Sequence, residues 1–371
     1  MRIILTIVAL VVVIASVAFP GLCQAASGAP NSADFGYGGR LDVDGLQVPQ
    51  AINAAAAMGL DWIALDFDWA KRWPDPNAAP DLEGLTQAIH QAHDKRLNVL
   101  LSISHAPDWA KSAEGPDAAA TANLVVSLSR LYGDALQAVE LFPSANTTDG
   151  WGAAASPAAY LNLLRSVSAA LSDDHRQILL VAGGLTPPGR QAAPGDMDDR
   201  QFLAELYDRG AAPLIPIVSM RLPLLTGDPM QAASESEHRV LRHFEEIRQV
   251  MRQHNHKEGL IWITAFSWPN GSLSPEDSAY ARPEEQAHWL SKAYRLLKAQ
   301  LFIGAAFFSQ LNPASAEASS PPPSIIQPDI SLHPAFSSVR EVITPNGTTS
   351  FEIVFSKVTD EKIIFKKGVS P

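Results

Sequence analysis

The chain has 371 residues, 46% of them hydrophobic and 18% charged, a globular balance able to bury a large core. Its net charge of -11 argues against nucleic acid or an anionic polymer as partner, because phosphate binding needs clustered Lys and Arg. The single cysteine, Cys23, excludes an intrachain disulfide and a cysteine-based metal site.

Residues 1–26 have the order of a secretory signal: Met1-Arg2, an apolar run from Ile3 to Phe19, then Pro20-Gly21 and small residues up to a cleavage site near Ala25 or Ala26. The apolar run is also close to the ~17 residues that just span a bilayer, so an uncleaved N-terminal anchor is the alternative. Either way the rest of the chain is expected outside the cytoplasm, with a membrane contact only if this segment is retained. Pro20-Gly21-Leu22 before Cys23 makes a poor lipoprotein signal. Residues 27–33 read as a linker rich in small residues and Pro.

From residue 34 to 344 strand-like and helix-like segments alternate, as in a parallel sheet of βα units. Strands are predicted at Asp34 to Gly39, Asp61 to Phe67, Asn98 to Ser104, Ala138 onward, Ile178 to Ala182, Leu214 to Met220, Leu260 to Thr264 and Leu301 to Phe308. Helices are predicted at Pro49 to Met58, Leu82 to His93, Ala118 to Leu131, from Ser156-Pro157, Gln201 to Asp208, Glu235 to His254, from Pro283, and Pro334 to Val342. Gly183-Gly184 reads as the turn after strand five, and Ala314 to Pro323 as a loop. Eight of each close an α/β (β/α)8 TIM barrel, with a short C-terminal β-hairpin or tail at 345–371 around Thr359-Asp360.

Two strand ends carry the functional reading. Strand four ends in Glu140-Leu141-Phe142-Pro143-Ser144-Ala145-Asn146, and strand seven in Trp262-Ile263-Thr264-Ala265-Phe266-Ser267-Trp268. They resemble the clan A glycoside hydrolases, nearest family 39, whose patterns there are Glu-Ile-Trp-Asn-Glu-Pro-Asn and Trp-Ile-Thr-Glu-Phe-Gly-Trp. Glu140, Leu141, Phe142 and Asn146 hold their places in the first, with Pro143 for its Asn and Ala145 for its Pro, and Trp262, Ile263, Thr264, Phe266 and Trp268 match the second, with Ser267 for its Gly. Ser144 stands at the family's acid/base position and Ala265 at its nucleophile position. Strand six also departs, with Ser219-Met220-Arg221-Leu222-Pro223 where the family has a His-Pro-Tyr-like element.

A retaining glycosidase needs two carboxyl groups about 5 to 5.5 Å apart. A serine hydroxyl is too weak an acid to protonate a glycosidic oxygen near neutral pH, and alanine has nothing to attack with. Glu140 lies four residues before Ser144, about 13 Å deeper at ~3.3 Å per residue, and is expected in a polar layer inside the barrel. Other carboxylates near strand ends are Asp66, Asp68, Asp149, Glu276 and Asp277. Asp68 is the best placed, beside Trp69 and Trp73, with a helix-cap role as its alternative.

His105 and Trp109 lie in a stretch that resembles the family's Pro-Trp-Ala element, which sets an aromatic ring by the sugar. Substrate contacts are therefore expected from Asp68, Trp69, His105, Trp109, Asn146, Trp151 and Trp268, with loop packing as the alternative for Trp109, Trp151 and Trp268. The pairs His90/His93 and His254/His256 read as solvated or helix-end groups, so no metal and no cofactor is assigned. The expectation is an exported, catalytically degenerate barrel that binds an oligo- or polysaccharide in its mouth. Two alternatives stand beside it: an active hydrolase using displaced carboxylates such as Asp68 or Glu276, and a structural module of envelope or exopolysaccharide assembly.

Overall fold

The computed structural model describes residues 35–174, 177–187, 192–223, 225–234, 237–268, 282–314 and 324–344, with the backbone of 351–354 and 364–367. Eight parallel strands close a barrel: β1 (Gly36–Leu41), β2 (Trp62–Asp68), β3 (Asn98–Ser104), β4 (Ala138–Leu141), β5 (Leu179–Leu185), β6 (Ile217–Leu222), β7 (Leu260–Phe266) and β8 (Ile303–Phe308). Each strand pairs with the next in sequence, and β8 returns to β1 through Gly36↔Ala305 to Gly39↔Phe308.

The outer layer comprises α1 (Val48–Met58), α2 (Glu83–Asp94), α3 (Ala118–Tyr132), α4 (Pro157–Asp173), α5 (Asp199–Asp208), α6 (Phe244–Gln253), α7 (Pro283–Lys298) and α8 (Ala335–Ile343). Local chemistry sets several of their ends. The Ser156 hydroxyl accepts from the Ala159 amide and Pro157 opens α4, while Gly59, at φ 83°, closes α1 in a left-handed conformation that a side chain would strain.

Two apolar layers hold this arrangement. The larger lies between the outward strand faces and the helices. The smaller fills the lower barrel with Trp62, Leu100, Val181, Ile217, Trp262 and Phe307 among others. Trp62 and Trp262 meet edge to face at 5.0 Å, and β1 makes room for these rings by presenting glycine: a Cβ on Gly38 would lie 2.3 Å from the Phe307 ring. The bottom of the barrel is therefore packed solid, which leaves the carboxyl-end mouth for chemistry.

Three expectations are corrected. The predicted helix from Glu235 begins only at a 3₁₀ turn, Leu241–His243, because the Arg239 carbonyl accepts from the Thr226 amide and extended Val240 buries its side chain. Gly183-Gly184 belongs to β5 rather than following it. Gly184 adopts φ 52° and packs where a Cβ would sit 2.4 Å from Pro143 Cα, a contact between distant segments. The carboxyl ends of β6 and β7 run two residues beyond the predicted ones. β9 (Phe351–Val354) and β10 (Ile364–Lys367) form an antiparallel hairpin, as expected for the tail, whereas its Thr359-Asp360 turn lies outside the described residues. So do the N-terminal segment with Cys23, Glu276 and Asp277, and most of the Ala314 to Pro323 loop.

Candidate functional site

Inward positions of six strands carry polar groups above the aromatic floor. The Glu140 carboxyl, fully buried, accepts from the Ser102 hydroxyl (2.6 Å) and the Thr264 hydroxyl (2.6 Å). Arg40 on β1 donates to the Thr264 carbonyl (2.8 Å) and pairs with Asp66 on β2, which Arg221 on β6 reaches from another side at 3.3 Å. Two guanidiniums thus share the Asp66 carboxyl, and Thr264 links them to Glu140, its carbonyl on Arg40 and its hydroxyl on Glu140. Burial alone would raise the Asp66 carboxyl, but the Arg40 and Arg221 guanidiniums outweigh it and hold the group below the ordinary carboxylate value. Arg40 is lowered in turn, first by burial and then by Arg221.

A carboxylate held ionised by two guanidiniums is a poor proton donor, and its negative charge is neutralised for attack on carbon. Arg221 keeps one further donor, a buried Nε without a partner. Ala265 faces this cluster across the ladder: a register shift after Met220↔Ile263 brings it opposite Arg221. The shift places a bulge at Thr264, a device that re-aims side chains at barrel rims.

Ser144 lies on the loop after β4 at φ 66°, its amide bonded to the Gly184 carbonyl (2.7 Å) and its hydroxyl to that of Thr186 (2.7 Å). It borders a cavity of about 460 Å³ formed by the loops after β4, β5 and β6, with Asp149, Thr186, Asp198, Pro223 and Arg239 on its walls. That volume suits a small ligand. Of the carboxylates there, Asp196 is held by the Thr148 and Ala193 amides and Asp198 by Arg200, whereas Asp149 is exposed at the edge of the cavity.

The rim between β2 and β3 holds a second polar pair. Asp68 caps the single helical turn Trp69–Arg72 through the Lys71 amide (3.0 Å), and its other oxygen meets His105 Nδ1 at 2.9 Å. Beside them Trp109 stands 36% exposed, edge-on to Trp69 and Trp73, with its indole N–H bonded to the Trp73 carbonyl.

Comparison with solved structures places this geometry. The barrel superposes on a family 39 glycoside hydrolase from Bacteroides cellulosilyticus WH2 with a TM-score of 0.63 at 16% identity, covering 88% of this chain and 67% of that one. The GH39 enzyme from Xanthomonas axonopodis pv. citri gives a TM-score of 0.60 at 15% identity over 85% and 67% of the two chains. The fold is that of a clan A glycoside hydrolase. A GH5_18 structure from Streptomyces cattleya, solved in complex with GlcNAc, matches the barrel with a TM-score of 0.60 at 11% identity over 85% and 82% of the two chains. No family model and no curated protein matches the chain.

The expected contact residues divide within this fold. Asp68, His105 and Trp109 stand together at the rim and are accessible. Four others are buried, and of these only Asn146 borders the cavity beside Ser144 among the described residues. Trp69 is fully buried beneath Trp109. Trp151 packs on Phe142 and Tyr160 and donates to the Glu114 carbonyl (2.7 Å). Trp268 packs on Phe266 and Trp289 and donates to the Gly227 carbonyl (2.9 Å). Asn146 donates to the Thr186 and Met197 carbonyls (both 2.9 Å) and accepts from the Thr186 amide (3.0 Å), so its amide clamps two loops.

Sequence reasoning missed Arg40 and Arg221. The available signal was parity: on their strands they lie two residues beyond Gly38 and Ser219, toward the mouth.

Proposed function

We propose that the chain is an exported, catalytically degenerate glycoside hydrolase barrel that binds a saccharide at its mouth without cleaving it. The observation that carries this reading is the state of the axial carboxyls: Glu140 is buried under two hydroxyls and Asp66 is gripped by Arg40 and Arg221. Ser144 and Ala265 occupy the positions where the family resemblance sets its acid/base and nucleophile. The rim pair Asp68 and His105 supplies hydroxyl partners, and Trp109 an aromatic face for a pyranose ring. A structural module with a filled mouth is disfavoured by the cavity beside Ser144.

The test is a glycan array followed by calorimetric titration. Wild type binds a defined saccharide, and Trp109→Ala weakens that binding about fivefold or more, roughly the 1 kcal/mol worth of an aromatic contact. No binding to any glycan, or binding unchanged in Trp109→Ala and Asp68→Asn, removes the rim from the proposal. Export follows from residues 1–26; secreted or periplasmic protein beginning after Ala25 or Ala26 is the expected finding, and full-length protein in the cytoplasm contradicts it.

A further inference from the structure

We propose that His238, His243 and Glu246 form a structural site for a zinc-like divalent ion that fastens the segment after β6 to α5 and α6. His238 lies in that segment, His243 ends the 3₁₀ turn and Glu246 stands in the first turn of α6. The ligating atoms of the three lie within 4.8 Å of one another. His238 Nδ1 is 3.4 Å and His243 Nδ1 3.3 Å from the same oxygen, Glu246 Oε2. A tetrahedral site with bonds of about 2.0–2.2 Å has edges of roughly 3.3–3.5 Å, which both separations match. Neutral N–H···O bonds run shorter, about 2.7–3.2 Å, and charge-assisted ones shorter still.

The protonation pattern points the same way. His243 Nε2 meets Asp199 Oδ2 at 2.6 Å, and both side chains are fully buried. The Asp199 carboxylate accepts the hydrogen bond from Nε2–H, so in the neutral imidazole the Nδ1 lone pair faces the cluster. This is the arrangement in which a carboxylate orients a metal-binding imidazole. Both His238 Nδ1 and His243 Nδ1 are buried without a hydrogen-bond partner, an uncommon cost that an ion would remove.

Arg200 is the competing cation: it donates to Glu246 Oε2 at 2.9 Å and to Asp198 at 3.0 and 2.6 Å. Against its one positive charge stand the carboxyls of Asp198, Asp199 and Glu246, and a divalent ion balances the remainder. Two imidazoles and a carboxylate suit zinc and its neighbours over calcium or magnesium, which prefer all-oxygen sites. Full burial of His243 gives the ion a structural place. Arg239 and Asp198, next to His238 and Asp199 in sequence, line the cavity beside Ser144, so the ion would stiffen one of its walls.

The test uses the full chain without a polyhistidine tag, stripped with chelator and titrated with Co²⁺, then Zn²⁺. Wild type takes up one equivalent of Co²⁺ with the intense visible absorption of a tetrahedral site, and Zn²⁺ displaces it and raises the melting temperature. His238→Gln, at a half-buried position that leaves the Asp199 pair intact, loses at least 100-fold in affinity. Asp199→Asn loses about 10–100-fold while changing the Co²⁺ spectrum. No saturable one-equivalent binding by folded wild type overturns the proposal, as does equal binding by wild type and His238→Gln.

Discussion

Asp66 shows how two residues decide what a third can do. Because its carboxyl is held below the ordinary 3.8, its ionised form favours the folded state above that pH, and the contribution is lost only as pH falls through the lowered value. Asp66→Asn should therefore melt below wild type from pH 8 to about pH 5, with the gap closing only under pH 3.8. A gap that closes near neutral pH contradicts the two-arginine grip. Arg40→Ala should cost about 1–3 kcal/mol in a denaturant titration, less than a fully buried pair because half of the Asp66 side chain is open to solvent. Glu140 was legible in sequence as part of a polar layer, since strand parity and depth place it below the mouth. The grip on Asp66 was not, because its partners come from β1 and β6 and only barrel closure brings them together.

At the scale of elements, strand and helix order follows from apolar patterning and end signals such as Ser156-Pro157 and Gly59, and these gave the barrel directly. Features made by contact between distant segments stayed hidden. Gly183-Gly184 reads locally as a turn, yet β5 continues through it because Ser144 and Pro143 pack against Gly184. Asn146 matches a ligand-facing position in the resemblance, but its amide is spent on Thr186 and Met197. Asn146→Ala should then cost about 1–3 kcal/mol of stability, since it leaves two partly buried carbonyls and one amide without the partner they have now. A loss under about 0.5 kcal/mol in chemical denaturation would return Asn146 to the list of ligand contacts.

For the whole molecule, the aromatic residues sort by depth. Trp151 and Trp268 are core, so changing either to Ala should lower stability by about 3–5 kcal/mol, whereas Trp109→Ala should leave the melting curve close to wild type and act on binding. Composition alone offered eight Trp without saying which were open; the loops that bury Trp268 and Trp151 decide it. The central proposal is that this barrel, with the fold of clan A glycoside hydrolases, binds a saccharide at its mouth without hydrolysing it. Its most direct test is turnover of a broad panel of aryl glycosides and of any glycan that the array identifies, with purified wild type beside Asp68→Asn, Asp149→Asn and Glu276→Gln. The account predicts that wild type releases no sugar or aglycone above the uncatalysed background; release that is abolished by one of those three substitutions would contradict it.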